Sequence, residues 1–384
     1  MIEDRFFESV ANIIEQARKY VGHTADLTMC VTYFEVGRMI VEEEQGGKAR
    51  AEYGKGLMKE LSVYLGKRVG KGFSETNLKN ARKFYQIYAP LIRQTASAEL
   101  SDGIQNQIRQ TISAEFEGFR LTKNQQTTIR EIYPFTLSWS HYLILMRIQN
   151  PDERKFYEIE AEKQSWTYKQ LQRQYGSSLY ERLALSRNKD EVMRLAKEGQ
   201  TIEKPQDILK NPLVLEFLDI EERAWYSESD LESAIISKLQ QFLLELGKGF
   251  LFEARQKRFT FDEEHFMVDL VFYNRLLKCY VLIDLKTDEL KHQDLGQMQM
   301  YVHYFDRYVK TAEEHQTVGI LLCKKKKDMI VELTLPEGEN IYASEYSLYL
   351  PDKNLLQQKL IEWTQEFEKA REALEAAHGG VNEV

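Results

Sequence analysis

Three side chains in the C-terminal half have the types and spacing for chemistry on phosphate. Asp269 is embedded in the apolar segment 266–272, and Asp284 and Lys286 close the run that begins at Cys279. Side chains two residues apart on a strand project from the same face, so Asp284 and Lys286 share one if this run is a strand. An antiparallel hairpin between the two segments would bring Asp269 to Asp284. Two carboxylates beside an ammonium group suit divalent-metal phosphodiester chemistry. Hard oxygen ligands hold Mg2+ (or Mn2+), which keeps several waters and contacts phosphate, while a lysine orients the nucleophile or steadies the transition state. Asp-x-Lys alone is a weak motif, because charged residues that end a strand are usually solvated. Its setting strengthens it. Carboxylates among Val, Leu and Ile are costly unless they are paired or bind a metal. A structural ion pair between Lys286 and one aspartate is the competing reading.

The elements that would position these residues follow from periodicity. A helix is predicted over Asp230–Leu246, with Leu231, Ile235, Leu239, Phe242 and Leu246 on one face. Strands follow at Phe250–Thr260, His265–Tyr273 and Lys278–Leu285, then a helix from Gln293 to Val309 and a strand at Thr317–Cys323. This α-β-β-β-α-β order implies a mixed sheet flanked by helices. Tyr342–Leu350 can add an edge strand, and a charged helix starts at Leu355. Ser229-Asp230-Leu231-Glu232 has the form of a capping box, so Glu232 is open to two readings: a helix cap, or an acidic partner of the site. Glu253 and Gln256, on the first strand, are weaker contributors.

The first half reads as helical, with Phe6, Val10, Ile13, Ile14 and Ala17 at helical spacing and Val31 to Met39 less regular. Leu57–Leu65, a glycine-containing turn over 69–74, and Glu75–Tyr88 form a helix-turn-helix pattern, capped by Ser74 and closed by Pro90. A polar connector or a weakly packed helical excursion is expected from Arg93 to Lys123, an apolar helix over Leu137–Gln149 and amphipathic segments to Leu185. Pro205 and Asn211-Pro212 mark a boundary. The expected domains are a helical N-terminal domain over 1–205, a sheet domain over 212–354, and a C-terminal helix and tail over 355–384.

The 384 residues carry a formal charge of −8, split as +4 over residues 1–200 and −12 over 201–384. An acidic chain argues against a sequence-blind coating nucleic-acid binder. It leaves room for a local patch, since residues 61–93 carry a net +6. Lys71, Lys79, Arg82 and Lys83 are the candidates for phosphate or groove contact there, with a solvated charged face as the alternative. The lysines over 324–327 have the same two readings. Three scattered cysteines make neither a disulfide framework nor a zinc site. The N-terminus lacks the apolar core of a signal peptide, and no apolar run approaches the ~20 residues of a membrane span. A soluble cytoplasmic protein without a membrane partner is therefore expected. Trp139, His141 and Trp166 are expected in the core, and His265, His292 and His303 at or near the surface.

Residues 212–350 resemble the PD-(D/E)XK nuclease superfamily, and most of the chain is similar to its YhcG-like bacterial family. The likeness rests on Tyr53-Gly54, on 70–74 with Asn77-Leu78, on Leu137–Tyr142, on Arg154, Phe156-Tyr157 and on Tyr180–Leu183. In the second half it rests on Val268–Tyr273, Ile283–Lys286 and Gly296–Tyr301. It implies a restriction-endonuclease-like domain and a metal-dependent endonuclease that hydrolyses nucleic acid, with DNA the expected substrate and RNA left open. By position it makes Asp269 and Asp284 the metal ligands and Lys286 the catalytic lysine. Gln297 and Tyr301 become a Q-x-x-x-Y element on the next helix, and Glu232 the candidate glutamate of the first. Val268 stands where proline is usual, and Asp284 where glutamate is commoner. The alternative function is a non-catalytic DNA-binding or assembly subunit that keeps the fold. A homodimer would suit the cutting of two strands.

Overall fold

The computed structural model describes residues 25–44, 53–69, 72–99, 133–185, 189–210, 212–221, 225–261, 263–326, 328–336, 338–358 and 360–361. The chain forms two compact units, Met1–Arg154 and Lys155–Val384. The segment around Phe6–Ala17, most of the expected polar connector, and Gly70-Lys71 lie outside the described residues.

In the first unit, residues 25–44, Tyr53–Arg68, Glu75–Glu99 and Trp139–Leu145 are helical. Phe34, Phe84, Phe135 and Tyr142 are buried together, with ring centroids 4.8–6.0 Å apart. Gly37 lets two helices approach, since a Cβ there would strike the Ala81 carbonyl. Ser74 caps as expected, its Oγ accepting from the Asn77 N–H at 3.3 Å. Pro90 does not close the helix, which runs through it to Glu99. Pro90 and Gln86, whose carbonyl loses its partner, are both exposed, so water can replace the missing bond. The helix expected over Leu137–Gln149 is only seven residues long.

The second unit holds a six-stranded sheet: β1 (Leu213–Val214), β2 (Phe250–Phe261), β3 (Glu264–Asn274), β4 (Cys279–Glu289), β5 (Val318–Lys325) and β6 (Ile341–Ser347), in the order β1-β6-β5-β4-β3-β2. β2, β3 and β4 form antiparallel hairpins, whereas β4, β5, β6 and β1 run parallel. β6 is therefore interior, not the expected edge strand; the edge is the two-residue β1, too short to be read from periodicity. A parallel β4–β5 pair needs a crossover, which the His292–Tyr308 helix supplies. Burial on both faces explains the unbroken apolar runs of β4 and β5. One face packs Leu270, Phe272, Ile283 and Leu322 against Leu231, Ile235 and Phe242. The other packs Val271, Leu282 and Leu321 against Met298, Tyr301 and Phe305. Gly319 makes room for the crossover helix, because a Cβ there would lie 2.7 Å from Met298 Cγ and Sδ.

The helix expected over Asp230–Leu246 is two helices, Glu228–Ser237 and Leu239–Leu246, broken where Lys238 leaves helical geometry (φ −118°, ψ 30°). Four helices over 155–198 belong wholly or mainly to this unit, and buried charges bind them to the sheet layer. Arg182 and Glu245 are fully buried, 2.5 Å apart, and Arg173 reaches Glu245 at 3.1 Å and Glu216 at 2.9 Å. The buried Lys210 donates to the Glu245 carbonyl. Burial alone would raise the Glu245 pKa, yet Arg182, Lys210 and Arg173 outweigh it and hold the carboxyl at about 2. The three cysteines are free and buried.

Candidate active site

The site forms where β3 and β4 part. Their ladder ends at Leu270 opposite Ile283. One step further, in the same register, Asp269 faces Asp284, and the Asp269 carboxylate accepts the Leu285 N–H at 2.8 Å. A side chain thus takes the place of a ladder partner at the fork. On its other edge β4 stays paired with β5 through Lys286 and Cys323, which holds Asp284 and Lys286 in strand geometry. The Lys286 ammonium lies 2.6 Å from Asp284 Oδ2 and 3.7 Å from Glu228 Oε2.

The electrostatics are those of two carboxyls forced together. Burial first, and Asp284 second, raise the Asp269 pKa to about 7. Asp284 is also raised, because burial outweighs the opposing Lys286. A salt-bridged aspartate ordinarily falls, so burial decides the sign here. Burial alone would lower Lys286, but Asp284 and Glu228 overcome it, and the ammonium stays charged. Asp284 Oδ2 is buried and accepts no well-formed hydrogen bond, leaving Lys286 as its counter-charge.

Glu232 does not cap its helix. The cap is Ser227, whose Oγ accepts from the Asp230 N–H at 3.2 Å while the Asp230 carboxylate accepts from the Ser227 N–H at 2.9 Å. Glu232 is buried one turn on, held by Arg255 Nε at 2.5 Å and Gln256 Nε2 at 2.9 Å. Gln256 falls between the Arg255–Leu270 and Lys257–Val268 pairs, opposite Asp269, with φ at +46°. Only a few per cent of non-glycine residues adopt such a φ. Gln256, Asp269 and Asp284 therefore occupy one row across three strands. Glu253 pairs instead with Lys257.

Gln297 and Tyr301 lie on one face of the crossover helix, joined through Gln297 Nε2 and Tyr301 Oη. Tyr301 is buried, and its pKa is raised by burial first, with Asp284 and Asp269 adding to the shift. Glu228, Arg255 and the Glu232 contact of Gln256 are what reading the sequence missed. Glu228 precedes Glu232 by four residues on one helix, a spacing that marks a shared face. His265, His292 and His303 are exposed, Trp166 is buried and Trp139 stacks on Tyr33 at 4.2 Å.

Of the four basic candidates in the first unit, Lys71 lies outside the described residues. Lys79 is exposed and pairs with Glu75 at 2.6 Å, Arg82 pairs with Glu44 at 2.8 Å, and Lys83 is exposed. Glu44, thirty-eight residues before Arg82, trims the local positive charge that the sequence suggests.

The donor set fits a hard divalent cation. The oxygens of Asp269 and Asp284 repel one another, and a buried Asp284 oxygen lacks a good hydrogen bond. Among the described residues no three His, Cys, Asp or Glu side chains cluster as ligands. Two carboxylates with the remaining positions left to water is the pattern of Mg2+, not of a closed zinc site.

Residues 206–361 match the family model described as the YhcG PDDEXK nuclease domain, and residues 9–182 match the DUF1016 N-terminal domain. The Escherichia coli (strain K12) protein named "Putative nuclease YhcG" is 38% identical over 356 residues, 92% of each chain. Among solved structures, a repair endonuclease from Pyrococcus abyssi is 19% identical, with a TM-score of 0.23, over 34% of this chain and 50% of that one. An EndoMS complex with double-stranded DNA is 20% identical, with a TM-score of 0.25, over 35% and 49%. No helix among the described residues is long and apolar enough to cross a membrane.

Proposed function

The chain belongs to the YhcG PDDEXK nuclease family, and we propose that it is a divalent-metal-dependent endonuclease that hydrolyses phosphodiester bonds in DNA. The convergence of Asp269, Asp284 and Lys286 at the β3–β4 fork carries this reading. Asp269 and Asp284 would hold Mg2+ or Mn2+. When bound, the cation lowers the pKa of a water ligand and neutralises charge on the phosphate. Lys286, kept protonated by Asp284 and Glu228, donates hydrogen bonds to the nucleophile or to a phosphate oxygen as negative charge grows there. Tyr301 and Gln297 line the same face from the crossover helix and complete the polar wall. Glu232 supports this wall from behind by holding Gln256 and Arg255.

The helical N-terminal region contributes substrate binding, with Lys79, Arg82, Lys83 and Lys71 as phosphate contacts. Contacts of this kind weaken steeply with salt. The protein is incubated with duplex, single-stranded and branched DNA, with Mg2+, Mn2+ or EDTA, beside Lys286→Ala. Metal-dependent cutting that falls by about a hundredfold or more in Lys286→Ala is the expected result. If no substrate is cut under any condition, the chain is a binding or assembly subunit and the enzymatic reading fails.

A further inference from the structure

Trp225 is 91% exposed, whereas Trp166 is 5% exposed and packed in the core. A lone exposed apolar side chain needs no explanation. This one has a particular setting. The next residue, Tyr226, is pinned by a 2.8 Å hydrogen bond to the Tyr346 hydroxyl. The ammonium of the exposed Lys324 lies 5.9 Å from the centre of the Tyr226 ring. Ser227 then caps the helix, and Glu228, its first residue, reaches the Lys286 ammonium at 3.7 Å. Trp225 lies three residues before Glu228, a Cα span of at most about 11 Å. A bare indole thus stands on a fixed frame at the rim of the proposed site, next to the Tyr226 ring that Lys324 approaches.

We propose that Trp225 stacks on an unpaired nucleobase next to the scissile phosphate, so that the preferred substrate presents single-stranded DNA at the cut. This rests on the nuclease reading above. An indole face accepts any base, because every base offers a π-face, but a paired and stacked base inside a duplex does not expose one. Lys324, held near the Tyr226 ring, supplies the positive charge that would meet the backbone beside the indole. The recognition is of strandedness, not of sequence, since nothing in a stack reads the base edges.

The test is made in EDTA, where binding is measured without cleavage. A labelled oligothymidylate and a blunt duplex of the same length are titrated with wild type, Trp225→Ala and Trp225→Phe, reading anisotropy and tryptophan emission. Wild type should bind the single strand with quenched emission, and most of the quenching should vanish in Trp225→Phe. Trp225→Ala should weaken single-strand binding by about fivefold to a hundredfold, and Trp225→Phe by much less. Duplex binding, and the salt slope of single-strand binding, should stay as in wild type, because a stack releases no counterions. An unchanged single-strand affinity in Trp225→Ala overturns the proposal, as does an equal loss on the duplex or a wild type that binds no single strand. Because no metal is present, the two readings fail separately. A protein that cuts but ignores Trp225→Ala refutes only the stacking, and one that stacks but never cuts refutes only the nuclease.

Discussion

Replacing Asp269 with Asn should stabilise the metal-free protein at neutral pH while removing a carboxylate of the proposed metal site. The Asp269 carboxyl has its pKa raised from 3.8 to about 7, by burial and then by Asp284. The folded protein therefore keeps a proton over a range where the unfolded chain has lost it, so stability falls as pH rises through that range and levels off above about pH 7. Three pKa units at 1.36 kcal/mol each set a ceiling of about 4 kcal/mol, below which the shared titration with Asp284 brings the real figure. Asparagine keeps the shape and an oxygen that can accept the Leu285 N–H. Urea unfolding in EDTA should show wild type losing about 2–3 kcal/mol between about pH 5 and pH 8, against a flatter profile for Asp269→Asn. Mg2+ at a hundred times its dissociation constant should return about 2.7 kcal/mol to wild type and almost nothing to the variant. A constant offset between the two proteins across this pH range would refute the account of strained, cation-seeking carboxyls.

The buried Glu245 should behave oppositely. Held at about 2 by Arg182, Lys210 and Arg173, it contributes about 3 kcal/mol that is present above its ordinary pKa and lost as pH falls from about 4.5 toward 2. Acid unfolding of Glu245→Gln should lack that component. Ser227→Ala should lower stability by about 1 kcal/mol and Ser229→Ala by almost nothing, measured by urea midpoint, because only Ser227 accepts the cap bond. Gly319→Ala should cost about 1–3 kcal/mol by forcing Met298 and Val302 away from β5. Its cleavage rate should fall too, since the displaced helix carries Gln297 and Tyr301.

What could be read from the sequence was what short-range geometry dictates. Asp284 and Lys286 share a face because strands have a period of two, and Asp269 meets Asp284 because a four-residue turn between β3 and β4 fixes their register. The chain order of these elements, three strands, a helix and a strand, followed from the lengths and periods of the apolar runs. What escaped depends on contacts distant in sequence. Ser227-x-x-Asp230 and Ser229-x-x-Glu232 both have capping spacing, and the choice falls to Ser227 because Glu232 finds buried partners in Arg255 and Gln256, more than twenty residues away. Pro90 fails to end its helix because buried neighbours such as Phe84, Tyr88 and Ala89 hold that helix to the aromatic core. β1 has two residues and no periodicity at all.

The same contrast explains how the acidic site is built. Glu232 is buried, but a guanidinium and an amide satisfy it, so it lends rigidity to Gln256 beside Asp269. Asp284 is also buried and Asp269 half-buried, and the groups that compensate them among the described residues are the Lys286 ammonium and the Leu285 N–H. Three carboxylates on neighbouring elements thus have unequal electrostatic debts, and a cation gains most by going to the two that are under-compensated. Glu228 is half exposed and shares Lys286 with Asp284. If a cation takes over Asp284, Glu228 is the carboxylate left to anchor Lys286. The lysine can then turn toward the phosphate while it keeps its charge, which a single aspartate partner serving both cation and ammonium would not allow.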